Sequence, residues 1–245
     1  MVKIYINKIN ESWIVDRLKK EWSHFNENVI TDSKFESDII WIIAPWTWKW
    51  NNNLFIKNKK IVYTIHHFEE KILSNNFLKQ IENKKIDAFH VLNSETKNKL
   101  EKFTNKPIYQ IPFWINQNLF FHIDDKKSLR DEFNFSADDY LIGSFQRDTE
   151  GSDLTSPKLI KGPDRFITII KQLSQDYPNL KIVLTGKRRQ YIISRLKELN
   201  IEYNYFENTD FDTLNKLYNC LNLYIVSSRL EGMPFAILES GINKT

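Results

Sequence analysis

Two glutamates near the end of the chain are spaced so that one precedes a helix and the other lies inside it. The run from Ser227 to Glu239 reads SSRLEGMPFAILE, and Pro234 stands where a proline suits the first turn of a helix. Glu231 is then expected in the loop before the helix. Partly buried carboxylates are costly unless they accept hydrogen bonds, and sugar hydroxyls are suitable donors. The spacing indicates a site for a polyhydroxylated ligand; the alternative is two surface glutamates.

Two cations flank a second strand-to-helix connection. Arg147 follows the predicted strand Tyr140–Phe145, and Lys161 and Gly162 come directly before a helix that starts at Pro163. A guanidinium and an ammonium group beside a helix N-terminus suit a diphosphate, because free N–H groups and the helix dipole favour anions there. The alternative is a pair of ordinary loop cations.

The positions of the glycines decide which half of the chain could hold a phosphate. No glycine occurs before Gly143, and the pattern GxGxxG is absent from the whole sequence. Phosphate groups are usually reached through glycines at a strand-to-helix turn. A nucleotide is therefore expected in the second half.

Short apolar runs alternate with helical patterns along the whole chain, which predicts parallel sheets built from βαβ units. The predicted strands are Val2–Ile6, Asp38–Ala44, Lys60–Ile65, Ile86–Leu92, Pro107–Ile111, Tyr140–Phe145, Leu180–Thr185, Ile201–Phe206 and Leu223–Ser227. The predicted helices are Glu11–Trp22, Lys71–Glu82, Glu95–Phe103 (with Ser94 as its N-cap), Lys126–Phe133, Pro163–Tyr177, Arg188–Asn200, Asp210–Cys220 and one that begins at Pro234. The predicted fold class is α/β, with two doubly wound domains.

Composition places the division near residue 122. All seven Trp lie at or before Trp114, and all six Gly lie at or after Gly143. The first half carries 18 Lys and Arg against 13 Asp and Glu, and the second carries 17 against 18. We therefore expect domains over 1–122 and 123–245. The segment Pro112–Asp125 is expected to link them, with Phe113, Trp114 and Phe120 packing between the two.

Several protein classes are excluded by simple features. The longest strongly apolar run, Ile39–Pro45, is far shorter than the ~20 residues of a membrane span, and the N-terminus reads as a strand with no cleavage site. The single cysteine, Cys220, excludes an internal disulfide and a cysteine-based zinc site. No nucleic-acid-binding motif occurs. A cytoplasmic protein is expected.

The motifs in this order resemble the family 4 retaining glycosyltransferases. Glu231 and Glu239 form an E-x7-E pattern, and the Arg147 and Lys161–Gly162 turn resembles the family's diphosphate pair. Ile65-His66-His67 resembles its Thr-x-His element, and the stretch 111–120 resembles its interdomain segment. The resemblance implies a GT-B fold of two Rossmann-like domains, the first for the acceptor and the second for the donor.

The resemblance also implies roles for individual residues. Arg147, Lys161 and Gly162 would hold the donor diphosphate, and Glu239 would bind the ribose. Glu231 would hold the transferred sugar and His66 would face it, as the catalytic pair. Further contacts to the nucleotide-sugar are implied for two short segments, Phe206, Glu207 and Asn208 near the base and Gly232, Met233, Pro234 and Phe235 near the sugar.

Three departures from the family pattern bear on activity. Gln146 replaces the usual glycine before the arginine, and Asp148–Ile160 is longer than the typical connection to the lysine. The chain stops at Thr245, shortly after Glu239, whereas the family continues with further strands and a returning helix. The second domain is therefore expected to be incomplete at its C-terminus.

The functional expectation is transfer of a sugar from a nucleotide-sugar, a UDP- or GDP-sugar, to a glycan, lipid or other acceptor, with retention of configuration and without a metal. One alternative is a non-catalytic remnant that binds sugar nucleotides. Another is an interaction module whose Trp46, Trp48, Lys49 and Trp50 dock peripherally on a membrane. The interpretation that we favour over membrane docking is that this loop packs on its own domain or lines an acceptor cleft. The sequence leaves the oligomeric state open.

Overall fold

The computed structural model describes residues 1–7, 14–50, 56–67 and 81–245. Its contacts divide the chain into two units, Met1–Trp114 and Ile115–Thr245. The division lies earlier than the composition indicates, because Phe120 is fully buried in the second unit, where its ring meets Phe211 and Tyr218. Phe113 is buried in the first unit against His90. Each of the two phenylalanines therefore packs within its own unit.

A five-stranded parallel sheet forms the centre of the first unit, in the order β1-β2-β3-β4-β5. Ile30 bridges to the other side of β1, so the chain changes direction across the sheet between β1 and β2. Buried side chains such as Ile40, Ile61 and Phe89 form one core cluster on this sheet. The elements are β1 (Ile4–Ile6), α1 (Ile14–Phe25), β2 (Ile39–Ile42), a 3₁₀ turn (Pro45–Thr47), β3 (Lys60–Ile65), β4 (Ala88–Val91), α2 (Ser94–Leu100) and β5 (Ile108–Gln110).

The second unit has a four-stranded parallel sheet in the order β8-β7-β6-β9. Its elements are α3 (Lys126–Glu132), β6 (Tyr140–Ser144), a 3₁₀ turn (Leu159–Lys161), α4 (Pro163–Asp176), β7 (Leu180–Thr185), α5 (Gln190–Glu198), β8 (Glu202–Phe206), α6 (Phe211–Cys220), β9 (Leu223–Tyr224) and α7 (Phe235–Ile242). Apolar clusters cover both faces of this sheet. Buried β-branched and leucine side chains in β6 and β7 are typical of a parallel sheet covered on both faces.

Every predicted strand is present, with ends that differ by a few residues. The predicted helix Lys71–Glu82 lies mostly outside the described residues, as does the start of the one at Glu11. The predicted cap of α2 was wrong: Asn93 is the N-cap, because its extended backbone lets its side chain accept a hydrogen bond from the Thr96 N–H at 2.7 Å.

The tryptophan-rich loop of the first unit packs largely on its own domain. Trp50 stacks on Tyr63, and Trp48 lies edge-on to Trp50 and beneath the Lys34 ammonium group. Trp46 is 53% exposed. Packing on the domain, one of the interpretations of this loop, is therefore confirmed for Trp48 and Trp50.

Candidate functional site

The order of the strands locates a crevice in the second unit. Strands β6, β7 and β8 follow one another across the sheet, and β9 then adds on the opposite side of β6. In open parallel sheets, ligands bind outside the carboxyl ends of the strands where the strand order reverses. That point here lies between the ends of β6 and β9, where Gln146 and Ser228 follow the two strands.

Gly162 allows two segments to meet at this crevice. Its backbone is left-handed, with φ of 64°, and it precedes Pro163, the first residue of α4. A Cβ atom at this position would lie 2.0 Å from the Ser227 carbonyl oxygen. Only glycine fits such close backbone contact in this conformation. The turn that carries Lys161 is thereby brought against the loop that carries Glu231.

An ion pair joins these two segments at the crevice. Lys161 Nζ lies 2.6 Å from Glu231 Oε1, and the two side chains are 29% and 21% exposed. The Ser228 hydroxyl lies 2.7 Å from the same carboxylate oxygen and 3.1 Å from Gln146 Oε1. The Gln146 amide nitrogen donates to the Lys161 carbonyl oxygen at 3.2 Å. A cation, a carboxylate, a hydroxyl and an amide, the groups that bind phosphates and sugar hydroxyls, thus converge at one point.

Arg229 fastens the loop behind this cluster. Its guanidinium group makes two hydrogen bonds to the Asp164 carboxylate at 2.8 and 2.6 Å, and a third to the Leu159 carbonyl oxygen at 2.6 Å. Its backbone N–H donates to the Ile160 carbonyl oxygen at 2.8 Å. The Arg229 guanidinium lowers the pKa of the Asp164 carboxyl. The loop is therefore anchored to the start of α4 through both side chain and backbone.

Glu239 lies on α7, five positions into the helix, and is only 6% exposed. Its Oε2 atom accepts a hydrogen bond of 2.9 Å from the hydroxyl group of Tyr218, on α6. Burial and the neighbouring carboxylate raise the pKa of Tyr218 well above its ordinary value, so the phenol stays protonated. Glu239 is therefore a buried carboxylate and not one of the two surface glutamates of the alternative interpretation.

The long connection between Arg147 and Lys161 is an ordered flap over residues 148–158. Thr149 and Pro157 form an antiparallel bridge, and the Lys158 N–H donates to the Asp148 carbonyl oxygen at 2.7 Å. At the base of the flap, Asp148 Oδ2 lies 3.4 Å from the fully buried Arg189 Nε. Burial raises the pKa of Asp148 to about 6, although the Arg189 guanidinium opposes the shift.

The remaining predicted donor contacts lie at the same carboxyl edge of the second sheet. Arg147 is exposed in the loop after β6, and Glu207 and Asn208 are exposed after β8. Phe206, the last residue of β8, packs edge-on against Phe133. The loop residues Gly232 and Met233, the helix cap Pro234 and the first helical residue Phe235 are all partly buried.

His66 belongs to the first unit and follows β3. Its Nε2 atom lies 2.7 Å from the Ile43 carbonyl oxygen, so Nε2 carries the proton and donates. The ring lies between those of Trp46 and Phe113, with centroids 5.5 and 5.7 Å away. Burial lowers the pKa of His66 to about 4, so the imidazole is neutral near pH 7.

Sequence reasoning gave no role to three side chains that shape the site. Ser228 reaches Glu231, Arg229 fastens the loop and Tyr218 binds Glu239. Ser228 and Arg229 lie just before the E-x7-E pattern, in the loop that leads to Glu231, so their sequence position was available as a signal. Tyr218 lies on another helix, and no local pattern connects it to Glu239.

Comparisons with known proteins show what the chain is similar to in sequence and in fold. Residues 157–245 match the family model described as glycosyl transferases group 1. Among solved structures, Anabaena HepE in complex with UDP has a TM-score of 0.72 at 13% identity, over 99% of this chain and 79% of HepE. Sucrose-phosphate synthase from Thermosynechococcus elongatus has a TM-score of 0.65 at 17% identity, over 98% of this chain and 61% of the synthase. TarM has a TM-score of 0.63 at 18% identity.

These likenesses establish the fold, which is the Rossmann-like α/β fold of GT-B glycosyltransferases. The chain spans only 42% of the length of TarM, and the aligned region covers 90% of this chain. No curated protein matches the chain by sequence. The family match lies entirely in the second unit and contains Lys161, Glu231 and Glu239.

Two further observations concern the described residues alone. None of the helices in that part of the chain is both long enough and apolar enough to span a membrane. Over the same residues, no group of three His, Cys, Asp or Glu side chains is placed to hold a metal ion.

Proposed function

We propose that this chain is a retaining glycosyltransferase of the family 4 kind, which binds a UDP- or GDP-sugar on its second unit. The observation that carries the proposal is the meeting of Lys161 and Glu231, 2.6 Å apart, at the point where the strand order reverses. The family match over residues 157–245 and the likeness to a UDP-bound structure support it. In the reaction, the bond between the sugar and the diphosphate breaks and a bond from the sugar to an acceptor oxygen forms. The proton of the acceptor hydroxyl goes to the departing diphosphate.

Each charged group has a task in this proposal. Lys161 and Arg147 bind the diphosphate and stabilise the negative charge that develops on it as it leaves. Bound diphosphate then competes with Glu231 for the Lys161 ammonium group. Glu231 and the backbone of Gly232–Phe235 bind the hydroxyls of the sugar, and Glu239 binds those of the ribose. Glu207 and Asn208, with Phe206, lie near the base.

The first unit supplies the acceptor side. His66 is proposed to face the transferred sugar, with a neutral ring and an Nε2 proton already engaged by Ile43. A glycan or lipid acceptor is proposed, and no metal is required because Lys161 and Arg147 supply the positive charge. We also propose that the protein is cytoplasmic and contacts a membrane peripherally.

Calorimetric titration with UDP-, GDP- and ADP-sugars tests the donor site. We expect the sugars of one nucleotide to bind selectively. Lys161→Ala and Glu239→Ala should each lower the affinity for that donor by roughly 10- to 100-fold, because each removes a charged hydrogen-bonding partner. Lys171→Ala and Glu198→Ala, at exposed positions on α4 and α5, serve as matched controls. Unchanged donor affinity in both site variants would refute the assignment.

Donor turnover then separates the enzyme from the non-catalytic alternative. We expect slow hydrolysis of the bound donor, or transfer to added acceptors, with the product anomer identified by NMR. His66→Ala is expected to lower turnover more than donor affinity. Selective binding without any turnover would instead support a sugar-nucleotide-binding module.

A further inference from the structure

Behind Glu239 lies a set of buried hydroxyl groups that join three elements of the second unit. The Tyr218 hydroxyl, on α6, donates to Glu239 Oε2 at 2.9 Å. It also contacts the Tyr224 hydroxyl, on β9, and the two rings lie 5.2 Å apart. The Tyr224 hydroxyl in turn accepts a hydrogen bond of 3.0 Å from the backbone N–H of Phe145. The set therefore runs from Phe145, which directly follows β6, to the carboxylate on α7.

The protons in this set can be assigned from chemistry. An ionised carboxylate can only accept, so the single proton of the Tyr218 hydroxyl is donated to Glu239. Tyr224 is then the partner that can donate in the contact between the two phenols. Burial raises the pKa of Tyr224 to about 12 and that of Tyr218 well above its ordinary value, so both stay protonated. Two directions follow directly from the geometry: Tyr218 donates to Glu239, and Tyr224 accepts from the Phe145 N–H.

We propose that Tyr218 is a positioning residue that fixes the Glu239 carboxylate for binding the ribose hydroxyls of the donor. This inference rests on the proposed function, in which Glu239 binds the ribose. A glutamate side chain has three rotatable bonds, and holding one oxygen in place reduces the rotamer freedom that the ligand would otherwise have to remove. The hydrogen bond also offsets part of the cost of keeping a carboxylate buried.

A purely structural role for Tyr218 would give a different experimental result from a positioning role. If Tyr218 only filled space in the core, loss of its hydroxyl would change affinity for all nucleotides alike, through general loosening. If it orients Glu239, the loss is confined to ligands that carry the ribose 2′- and 3′-hydroxyls. The phenylalanine variant keeps the ring and its packing against Phe120 and Phe145, so it isolates the hydroxyl.

The experiment measures the affinity of UDP, GDP and ADP, and of their 2′,3′-dideoxy analogues, for wild type and Tyr218→Phe. We expect the wild-type protein to bind one of the three ribonucleotides roughly tenfold or more tightly than the dideoxy analogue of the same nucleotide. Tyr218→Phe is expected to lower the affinity for that ribonucleotide by roughly tenfold. The affinity for its dideoxy analogue should fall by less than about twofold. Tyr177→Phe, which removes the hydroxyl of a partly exposed ring stacked on Tyr140, is the matched control and should change neither.

A second variant covers the case in which Tyr218→Phe does not fold, which thermal unfolding and hydrogen exchange would reveal. Tyr224→Phe removes the contact behind Tyr218 and is expected to cause a smaller loss with the same dependence on the ribose. If the variant that folds keeps the wild-type preference for the ribonucleotide, the positioning role is wrong while the proposed function stands. If wild type binds a nucleotide but does not distinguish it from its dideoxy analogue, the ribose role of Glu239 is wrong. If folded wild type binds none of them, the proposed function fails with it.

Discussion

The two units share an architecture but differ in what occupies the point where the strand order reverses. In the first unit, this point lies between β1 and β2, where the buried Asn7 follows β1. Asn7 donates to the Ala44 carbonyl oxygen at 3.0 Å and to the Thr47 hydroxyl at 2.8 Å, and it accepts from the Ala44 N–H at 3.2 Å. In the second unit, the same place holds the Lys161–Glu231 ion pair.

In the proposed function, the same fold therefore serves two purposes. The asparagine satisfies its neighbours internally and joins two strand ends within the protein. The ion pair is partly exposed and combines charges that a diphosphate and a sugar can each recruit. Gly162 is what permits the second arrangement, because it brings two loops into backbone contact. The described part of the first unit contains no glycine.

Gly162→Ala should produce the largest effect. A left-handed alanine and a Cβ atom 2.0 Å from the Ser227 carbonyl oxygen together predict a loss on the order of 4 kcal/mol in the free energy of unfolding of the second unit. Donor binding should be abolished. Hydrogen exchange measures the stability, because all seven tryptophans lie in the first unit and their fluorescence does not report on the second.

Gly241→Ala is the control for this change, since a Cβ atom at that position meets nothing within 4 Å. It should be neutral or slightly stabilising, as alanine favours a helix interior. Equal effects of the two substitutions would contradict the role given to the close contact at Gly162.

The stability of the first unit should depend on pH through His66. Burial lowers the pKa of His66 from 6.5 to about 4 in the folded chain, so the unfolded chain binds the proton more readily between these values. Stability is therefore fully present above about pH 6.5 and falls as the pH drops towards 4, by up to about 3 kcal/mol. Tryptophan fluorescence during chemical denaturation measures it.

His66→Phe should remove the part of this dependence that comes from His66 while it retains an aromatic ring near Trp46 and Phe113. The part from His90, whose pKa burial also lowers, should persist. His24→Gln, at a position 71% exposed on the last turn of α1, should leave the dependence unchanged. A steep acid-induced loss of stability that persists in His66→Phe would assign the proton uptake to another group.

Asn7→Ala should destabilise the first unit by about 2 kcal/mol, because it leaves the buried Ala44 N–H and carbonyl groups without the partner that Asn7 provides. Donor affinity should not change, which distinguishes this reversal point from the one in the second unit. Tryptophan fluorescence during chemical denaturation measures the stability, and donor titration measures the affinity. A loss of donor affinity in a folded Asn7→Ala variant would show that the two points are not functionally different.

Asp164→Asn should have the smallest effect. Asp164 and Arg229 are each about one third exposed, so solvent screens the pair and the loss of stability should be below about 1 kcal/mol. A modest loss of donor affinity is expected from a looser loop. Asp176→Asn, at the other end of α4, is the control. An effect of Asp164→Asn as large as that of Lys161→Ala would mean that Asp164 contacts the ligand itself.

Local patterns predicted much of this molecule. The period of the apolar residues gave the strands, and Pro163 and Pro234 lie at the starts of α4 and α7 as expected. The site segments were also predictable, since Lys161, Gly162 and Glu231 lie at strand-to-helix connections whose carboxyl edges must coincide in a parallel sheet. The boundary expected from composition lies later in the chain than the boundary between the two units, because composition does not record that Phe120 packs into the second core.

The amino-acid sequence by itself determined the α/β class and the presence of two units. It also determined which half of the chain contains the glycine turns and the paired glutamates. Only the tertiary structure decided that Lys161 meets Glu231, that Gly162 contacts Ser227, and that Tyr218 holds Glu239. The reason is physical: periodicity and turn chemistry depend on neighbours along the chain. A hydrogen bond between α6 and α7, or an ion pair across 70 residues, depends on how the packed elements bring distant segments together.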